Sequence, residues 1–313
     1  MDIMLKVEGL VKRYGKIVAL DGISFSADKG EIVGLLGPNG AGKSTAMNII
    51  TGYLSSDEGT VTVDGDEIMD NPGAVKKKIG YLPEIPPLYP DMTVAEYMDF
   101  VYELKKCSLP KKEHLEEIAR VAKTTEVQRR LIGNLSKGYR QRVGIAEALV
   151  GDPPILIFDE PTVGLDPGQV IEVRSLIRRL GRKHTVILST HILSEVQAVC
   201  DRMVIIDRGK IIADEKSDDI ASAVNRSRRY AVKICGSASE VLPMLRAVDG
   251  VSGVEVTGER ELDAYTYIVE SEKGREIRRA IFAACADKGL PLIGLEQTGM
   301  SLEEVFIKLT EKK

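Results

Sequence analysis

The sequence predicts an α/β fold: a mostly parallel sheet with covering helices, followed by a smaller α+β domain. Three observations predict it. Apolar runs at residues 32–36 and 155–158 have the length and composition of strands buried on both faces. Helical periodicities alternate with such runs between residues 91 and 206, the pattern of helices laid over a parallel sheet. A polar stretch at residues 214–229 then precedes a strand, helix, strand, strand, helix, strand order, which is ferredoxin-like.

The elements follow in order. Leu5 and Val7 alternate with polar neighbours; after a Tyr14-Gly15 turn come apolar residues 17–20, Ile23 and Phe25, so the first 36 residues read as strands. The run at 32–36 ends at Gly37-Pro38-Asn39-Gly40, where a loop must begin. From Asp91 the period becomes helical. Thr93 and Glu96 make a capping box, followed by Val94, Tyr97, Met98, Val101 and Leu104. Pro110 starts a second helix with Leu115, Ile118, Ala119 and Ala122 on one face; a third begins near Ser136 and carries Val143, Ala146, Leu149 and Val150. Strand patterns return at 155–158, 186–188 and 204–206, with a helix at 166–180. The C-terminal strands are expected at 230–234, 251–256, 265–269 and 292–296, and the helices at 238–248 and 275–286. A last helix starts at Ser301, capped by Glu304. The boundaries that follow are a first domain over 1–215, a linker over 216–229, read as solvated through its Arg226 to Arg229 cluster, and a C-terminal accessory domain over 230–313.

Composition narrows the function classes. The net charge of −4 gives no global attraction to nucleic acid or anionic lipid. Aromatic residues make up only 5% and Trp is absent, which disfavours base stacking along a nucleic-acid strand. No nucleic acid partner is expected. Cys107, Cys200, Cys235 and Cys285 lie far apart without a CxxC pair, so reduced structural thiols are expected. The N-terminus has no signal-peptide pattern, and the longest apolar run, residues 280–286, is far short of the roughly 20 residues of a membrane helix. If this chain powers transport, another chain forms the pore.

The strongest motif is Gly37-Pro38-Asn39-Gly40-Ala41-Gly42-Lys43-Ser44-Thr45, which fits G-x-x-x-x-G-K-[ST] between a buried strand and a helix. Its glycines let backbone N–H groups close around phosphate oxygens, and the helix N-terminus adds a positive dipole end. Lys43 is placed for the β- and γ-phosphates and the Ser44 hydroxyl for Mg²⁺. The second motif is a strand of four apolar residues ending in Asp159-Glu160. Ligand chemistry in open α/β sheets sits at that end of the strands. Asp159 is suited to hold Mg²⁺, directly or through water, and Glu160 to polarise an attacking water.

Further motifs stand in a fixed order. Leu135-Ser136-Lys137-Gly138-Tyr139-Arg140-Gln141-Arg142 precedes the helix that carries Val143; Pro161-Thr162-Val163-Gly164-Leu165-Asp166-Pro167 follows Glu160; His191 follows Ser189-Thr190. Together with the phosphate loop they make roughly the first 215 residues resemble an ABC ATPase. The resemblance implies a P-loop NTPase of the ABC fold, with an N-terminal antiparallel β subdomain and a helical signature subdomain at about 86–150. It implies ATP and Mg²⁺ as ligands, Glu160 as catalytic base and His191 as the switch histidine, Tyr14 as an aromatic stacking on adenine, and Ser136 and Gly138 as signature residues. Ser136 could be only an N-cap. These signature residues would face the nucleotide of a second chain in a head-to-tail homodimer. A transmembrane permease is the implied partner, which puts the chain in the cytoplasm, attached peripherally to the inner face of the membrane. The C-terminal domain and Ser301-Leu302-Glu303-Glu304-Val305-Phe306 are similar to extensions of bacterial exporter subunits, which favours export.

Two positions depart from the family pattern. Glu84 stands where the family has its Q-loop glutamine; it can reach Mg²⁺ or its water, or act mainly towards the partner. Lys137 replaces a small glycine and either touches a phosphate across the interface or points to solvent. The alternative function is a soluble ABC-type ATPase acting on a non-transport macromolecular partner such as DNA or the ribosome, but neither a long coiled-coil insertion nor a second cassette is present. A metabolite kinase on the same phosphate loop does not account for the signature or His191.

Overall fold

A computed structural model describes residues 2–217, 229–261, 263–272 and 275–298. The chain divides into two compact units, Met1–Ser217 and Asp218–Lys313.

The first unit holds two sheets. β1 (Ile3–Tyr14) and β2 (Ile17–Asp28) pair antiparallel around the turn at Gly15, whose φ is +60°. With β4 (Glu58–Val63) and β5 (Asp66–Glu67) they form a sheet of order β2-β1-β4-β5. Leu5, Val7 and Leu10 of β1 point into the core, while Lys6, Glu8 and Gly9 are exposed, the alternation of a sheet with one buried face.

The second sheet is built from β3 (Ile32–Leu36), β6 (Ile79–Leu82), β7 (Ile155–Asp159), β8 (Thr185–Thr190), β9 (Arg202–Asp207) and β10 (Lys210–Lys216), in the order β10-β9-β3-β8-β7-β6. Every neighbouring pair is parallel except β9 and β10. β3, β7 and β8 are buried along their whole length, which explains why their sequences show continuous apolar runs rather than alternation. The helices are α1 (Lys43–Ile50), α2 (Pro72–Lys77), α3 (Val94–Leu104), α4 (Lys111–Val121), α5 (Lys137–Leu149), α6 (Pro167–Leu180) and α7 (Leu193–Val199).

Their ends are written locally. Thr93 and Glu96 close the capping box of α3, Ser136 caps α5, and Asp166 caps α6 ahead of Pro167. α5 lies directly on β6: a Cβ at Gly80 would stand 2.2 Å from the Ala148 carbonyl oxygen. Only glycine allows that approach, which fixes the depth of the helix that follows Ser136.

The second unit contains β11 (Arg229–Cys235), α8 (Ala238–Arg246), β12 (Val251–Glu261), β13 (Ala264–Ser271), α9 (Arg278–Lys288) and β14 (Leu292–Thr298). Its antiparallel sheet runs β12-β13-β11-β14, the ferredoxin-like arrangement. Tyr230, Val232, Ile234, Tyr267 and Val269 pack against Val241, Leu245 and Ile281 of the two helices.

Two expectations for residues 214–229 are corrected. Asp214, Glu215 and also Lys216, where the linker was expected to begin, are the polar end of β10. They are polar because β10 pairs only with β9 and so forms the edge of its sheet, with Asp214 held by Arg202. Arg229 is not solvated; it opens β11, is 9% exposed and pairs with Glu270. Residues 218–228 and the expected helix from Ser301 lie outside the described residues. Among the described residues no helix is long and apolar enough to cross a membrane.

Candidate functional site

The phosphate loop joins β3 to α1 and owes its course to small residues. Gly42 caps α1 at φ 109°, ψ 0°, and a Cβ there would stand 2.5 Å from the Ala19 carbonyl oxygen. Any other residue would be both strained and clashing. The turn delivers Lys43 into the interior, where its side chain is 6% exposed. Its Nζ donates to the carbonyl oxygens of Gly37 (2.8 Å) and Pro38 (3.2 Å) and lies 3.6 Å from Glu160 Oε1. A buried ammonium needs such partners, because an unpaired one is heavily penalised by lost hydration.

The carboxylates arrive from β7. Parallel pairing sets Asp159 opposite Ser189 on β8. Ser189 is fully buried; its hydroxyl donates to Asp159 Oδ1 and accepts the Glu160 N–H at 3.0 Å. The Ser44 hydroxyl also donates to Asp159 Oδ1, at 3.4 Å. Glu160 adopts φ +48°, a left-handed conformation that non-glycine residues seldom take and that tends to mark functional sites. Its N–H is tied further to the Ser189 carbonyl at 3.2 Å. Its carboxylate faces His191 Nδ1, with contacts of 3.0 and 3.2 Å. Beneath the site, Tyr81 of β6 contacts Asn48; burial, and then the Asp159 charge, push its hydroxyl pKa well above the ordinary phenol value.

These groups border a cleft of about 440 Å³. Asn39, Gly40, Gly42, Lys43, Ser44, Thr45, Glu84, Glu160 and His191 line it, with Ile17, Val18, Ala19 and Val163. Asp159 sits behind Ser44, Gly37 and Pro38 contribute the carbonyls that hold Lys43, and Ala41 is buried in the core. Tyr14 lies outside the lining, 49% exposed at the end of β1; Ile17 and Val18, beyond the turn, supply the apolar edge instead. That edge was missed because two exposed apolar residues next to a turn read as ordinary strand residues. Ser189 was missed for a related reason: a single serine in an apolar strand gives no signal until its neighbour across the sheet is known.

Ser136 and Gly138 are not brought to this cleft. Ser136 Oγ accepts the Tyr139 N–H at 3.4 Å as an N-cap, and Gly138 is packed so tightly that a Cβ would stand 2.5 Å from Gln169 Oε1. Lys137 is exposed, as in the solvent-facing placement. Its ammonium overlies the turn at Gly164, where a Cβ would stand 2.2 Å from Nζ. A second cleft of about 490 Å³, between α4, α5 and α6, mixes Glu113, Glu117 and Asp152 with Arg179 and Lys183 and has no phosphate loop. Polyanion chemistry converges only on the first.

Comparison with known proteins agrees with this geometry. Residues 20–163 match the family described as ABC transporter. The chain is 34% identical over 311 residues to the linearmycin resistance ATP-binding protein of Bacillus subtilis (strain 168), covering 98% of both chains. It is 30% identical over 317 residues to a Nod factor export ATP-binding protein of Ralstonia nicotianae, covering 99% of this chain and 94% of the relative. A dimeric ATP-binding cassette solved in a post-hydrolysis state with ADP and Pi superposes with a TM-score of 0.63 at 27% identity, over 68% of this chain and 99% of that one.

The Ser189 bridge is directly testable. Ser189→Ala leaves the buried Asp159 carboxylate without that donor and should destabilise the first unit by about 1–3 kcal/mol in urea unfolding. An unchanged midpoint and slope would show that the hydroxyl is not engaged.

Proposed function

The chain belongs to the ABC transporter ATP-binding family, and we propose that it is the ATP-hydrolysing motor subunit of an export system whose pore is a separate transmembrane permease. The observation that carries this reading is the meeting of Lys43, Ser44, Asp159, Glu160 and His191 around one cleft, although they come from three separate segments of the chain. The relatives named for resistance and for export support the direction of transport.

In this reading the phosphates of ATP enter the mouth of the glycine loop. Lys43 exchanges the Gly37 and Pro38 carbonyls for β- and γ-phosphate oxygens, which bear more negative charge. Glu160 then loses its ionic partner and turns to a water in line with the γ-phosphorus. It accepts the proton of that water as the new P–O bond forms and the bond to the β-phosphate oxygen breaks, giving ADP and phosphate. His191, hydrogen-bonded to Glu160, holds the carboxylate in place and meets the γ-phosphate.

Ser44 and Asp159 offer hard oxygen donors only 3.4 Å apart, and Glu84 lines the same cleft, so this donor set fits Mg²⁺. Bound there, held by Ser44 and Asp159, the ion would supply positive charge to offset that of the phosphates.

Ser136 and Gly138 do not reach the cleft of their own chain. A head-to-tail homodimer, in which each signature helix covers the other chain's ATP, gives them a ligand, and the dimeric solved cassette supports that arrangement. ATP closes such a dimer and hydrolysis reopens it, a ligand-driven population shift. The permease is contacted through the proline-rich segment that starts beside the site. There Ile85 is 83% exposed, next to Glu84 in the cleft lining, so movement of the nucleotide site reaches the docking surface over a few residues. The chain accordingly works on the cytoplasmic face of the membrane.

Glu160→Gln keeps the shape of the side chain and removes the base. Steady-state phosphate release should fall by about 10²–10⁴-fold while ATP still binds in calorimetry. Turnover at the parent rate would assign the base elsewhere. Docking is tested by Ile85→Cys co-expressed with the permease carrying cysteines in its cytoplasmic helices. A disulfide or bismaleimide crosslink is the expected result, and crosslinking confined to other faces would move the interface.

A further inference from the structure

One buried carboxylate holds both segments that leave the carboxyl ends of β7 and β8. Glu195, on α7, is 5% exposed. Its Oε2 accepts the hydroxyl of Thr162 at 2.7 Å and that of Thr190 at 2.9 Å. Thr162 is 5% exposed and Thr190 fully buried. Oε1 lies 3.5 Å from a guanidinium nitrogen of Arg174 on α6. The Thr190 hydroxyl accepts the Ile192 N–H at 3.1 Å, so its own proton is committed to Glu195.

The sequence positions give this junction its meaning. Thr162 is two residues after Glu160, and Thr190 immediately precedes His191. Glu160 and His191 touch in the cleft, at 3.0 Å. The same two segments are therefore joined twice: once in the cleft through Glu160 and His191, and once behind it through Glu195. The rear junction excludes water and uses charge-assisted hydrogen bonds, which are stronger than neutral ones.

We propose that Glu195 is a positioning residue that locks residues 161–167 to the His191 segment through Thr162 and Thr190, so that base and histidine keep their geometry while the contact between Lys43 and Glu160 opens. The proposal rests on the reading of Glu160 and His191 as the hydrolytic pair. A rear clamp lets ATP separate Lys43 from Glu160 without releasing Glu160 from His191. It also transmits a displacement of residues 161–167, which lead into α6, to His191.

The test uses Thr162→Val and Thr190→Val, which keep side-chain shape and remove one donor each, with Thr162→Ser and Thr190→Ser as variants that keep the hydroxyl. Each Val variant should lower kcat for ATP by about tenfold with KM changed less than about twofold, because ground-state binding is untouched and only the reacting geometry suffers. The Ser variants should stay near the parent. The double Val variant should lose much less than the product of the two single losses, since both act through one carboxylate. A second readout needs no turnover. The chain has three histidines, so the ring resonance of His191 can be followed against His114 and His184. Thr162→Val, which does not touch His191, should shift the His191 ring signal and leave the other two in place. An unmoved His191 signal, multiplicative losses in the double variant, or parent kcat with only a lowered Tm would each overturn the proposal. Failure of the underlying functional reading looks different: the parent itself would release no phosphate, whereas the His191 shift would still report on the clamp.

Discussion

Parallel pairing of β3, β8 and β7 is the constraint on which everything at the site depends. It sets Leu36 level with Thr190 and Asp159 level with Ser189. The three chains therefore leave the sheet side by side, and residues from near 40, near 160 and near 190 share one cleft. The sheet can hold these strands only because they are buried on both faces, by helices on one side and by the antiparallel sheet and α1 on the other. Core burial and site geometry are thus one requirement, met by the same apolar runs.

Electrostatics then sets the resting arrangement. Lys43, Asp159 and Glu160 are all nearly excluded from water, at 6%, 4% and 7% exposure. None can stay charged there alone. Lys43 is met by two carbonyls and Glu160, Asp159 by two hydroxyls, and Glu160 by His191 and Lys43. The partners of Lys43 are weaker than phosphate, so the site is closed on itself in a way that a polyanion can displace. The left-handed φ of Glu160 belongs to the same arrangement, since Ser189 holds that backbone by two hydrogen bonds.

Much of this was legible in the sequence. The strands with continuous apolar runs, the helices with caps at Thr93, Ser136 and Asp166, and the ferredoxin-like order all follow from local rules. The residues of the glycine loop and Glu160 could be gathered because motif and strand end point to the same edge of a parallel sheet, whereas Glu84 and His191 were legible only through the resemblance to ABC ATPases. What stayed hidden depends on neighbours far away in the chain. Lys216 at the end of β10 looks like linker because an edge strand is polar, and Arg229 looks solvated until Glu270 is placed beside it across the sheet. Ser189 and Glu195 carry no local signature, and their importance comes from the Asp159 carboxylate and the Thr162 hydroxyl, which lie 30 and 33 residues away. The position of the exposed Lys137 over the turn at Gly164 has no periodicity to announce it.

The central claim is that the hydrolytic site is complete only between two chains. The most direct measurement is phosphate release by the purified chain with ATP and Mg²⁺ over a dilution series that crosses the dimer dissociation range. The rate per chain should rise with concentration, approaching a second-order dependence at the dilute end and a plateau at the other. A rate per chain that stays constant down to concentrations where sedimentation finds only monomer would contradict it.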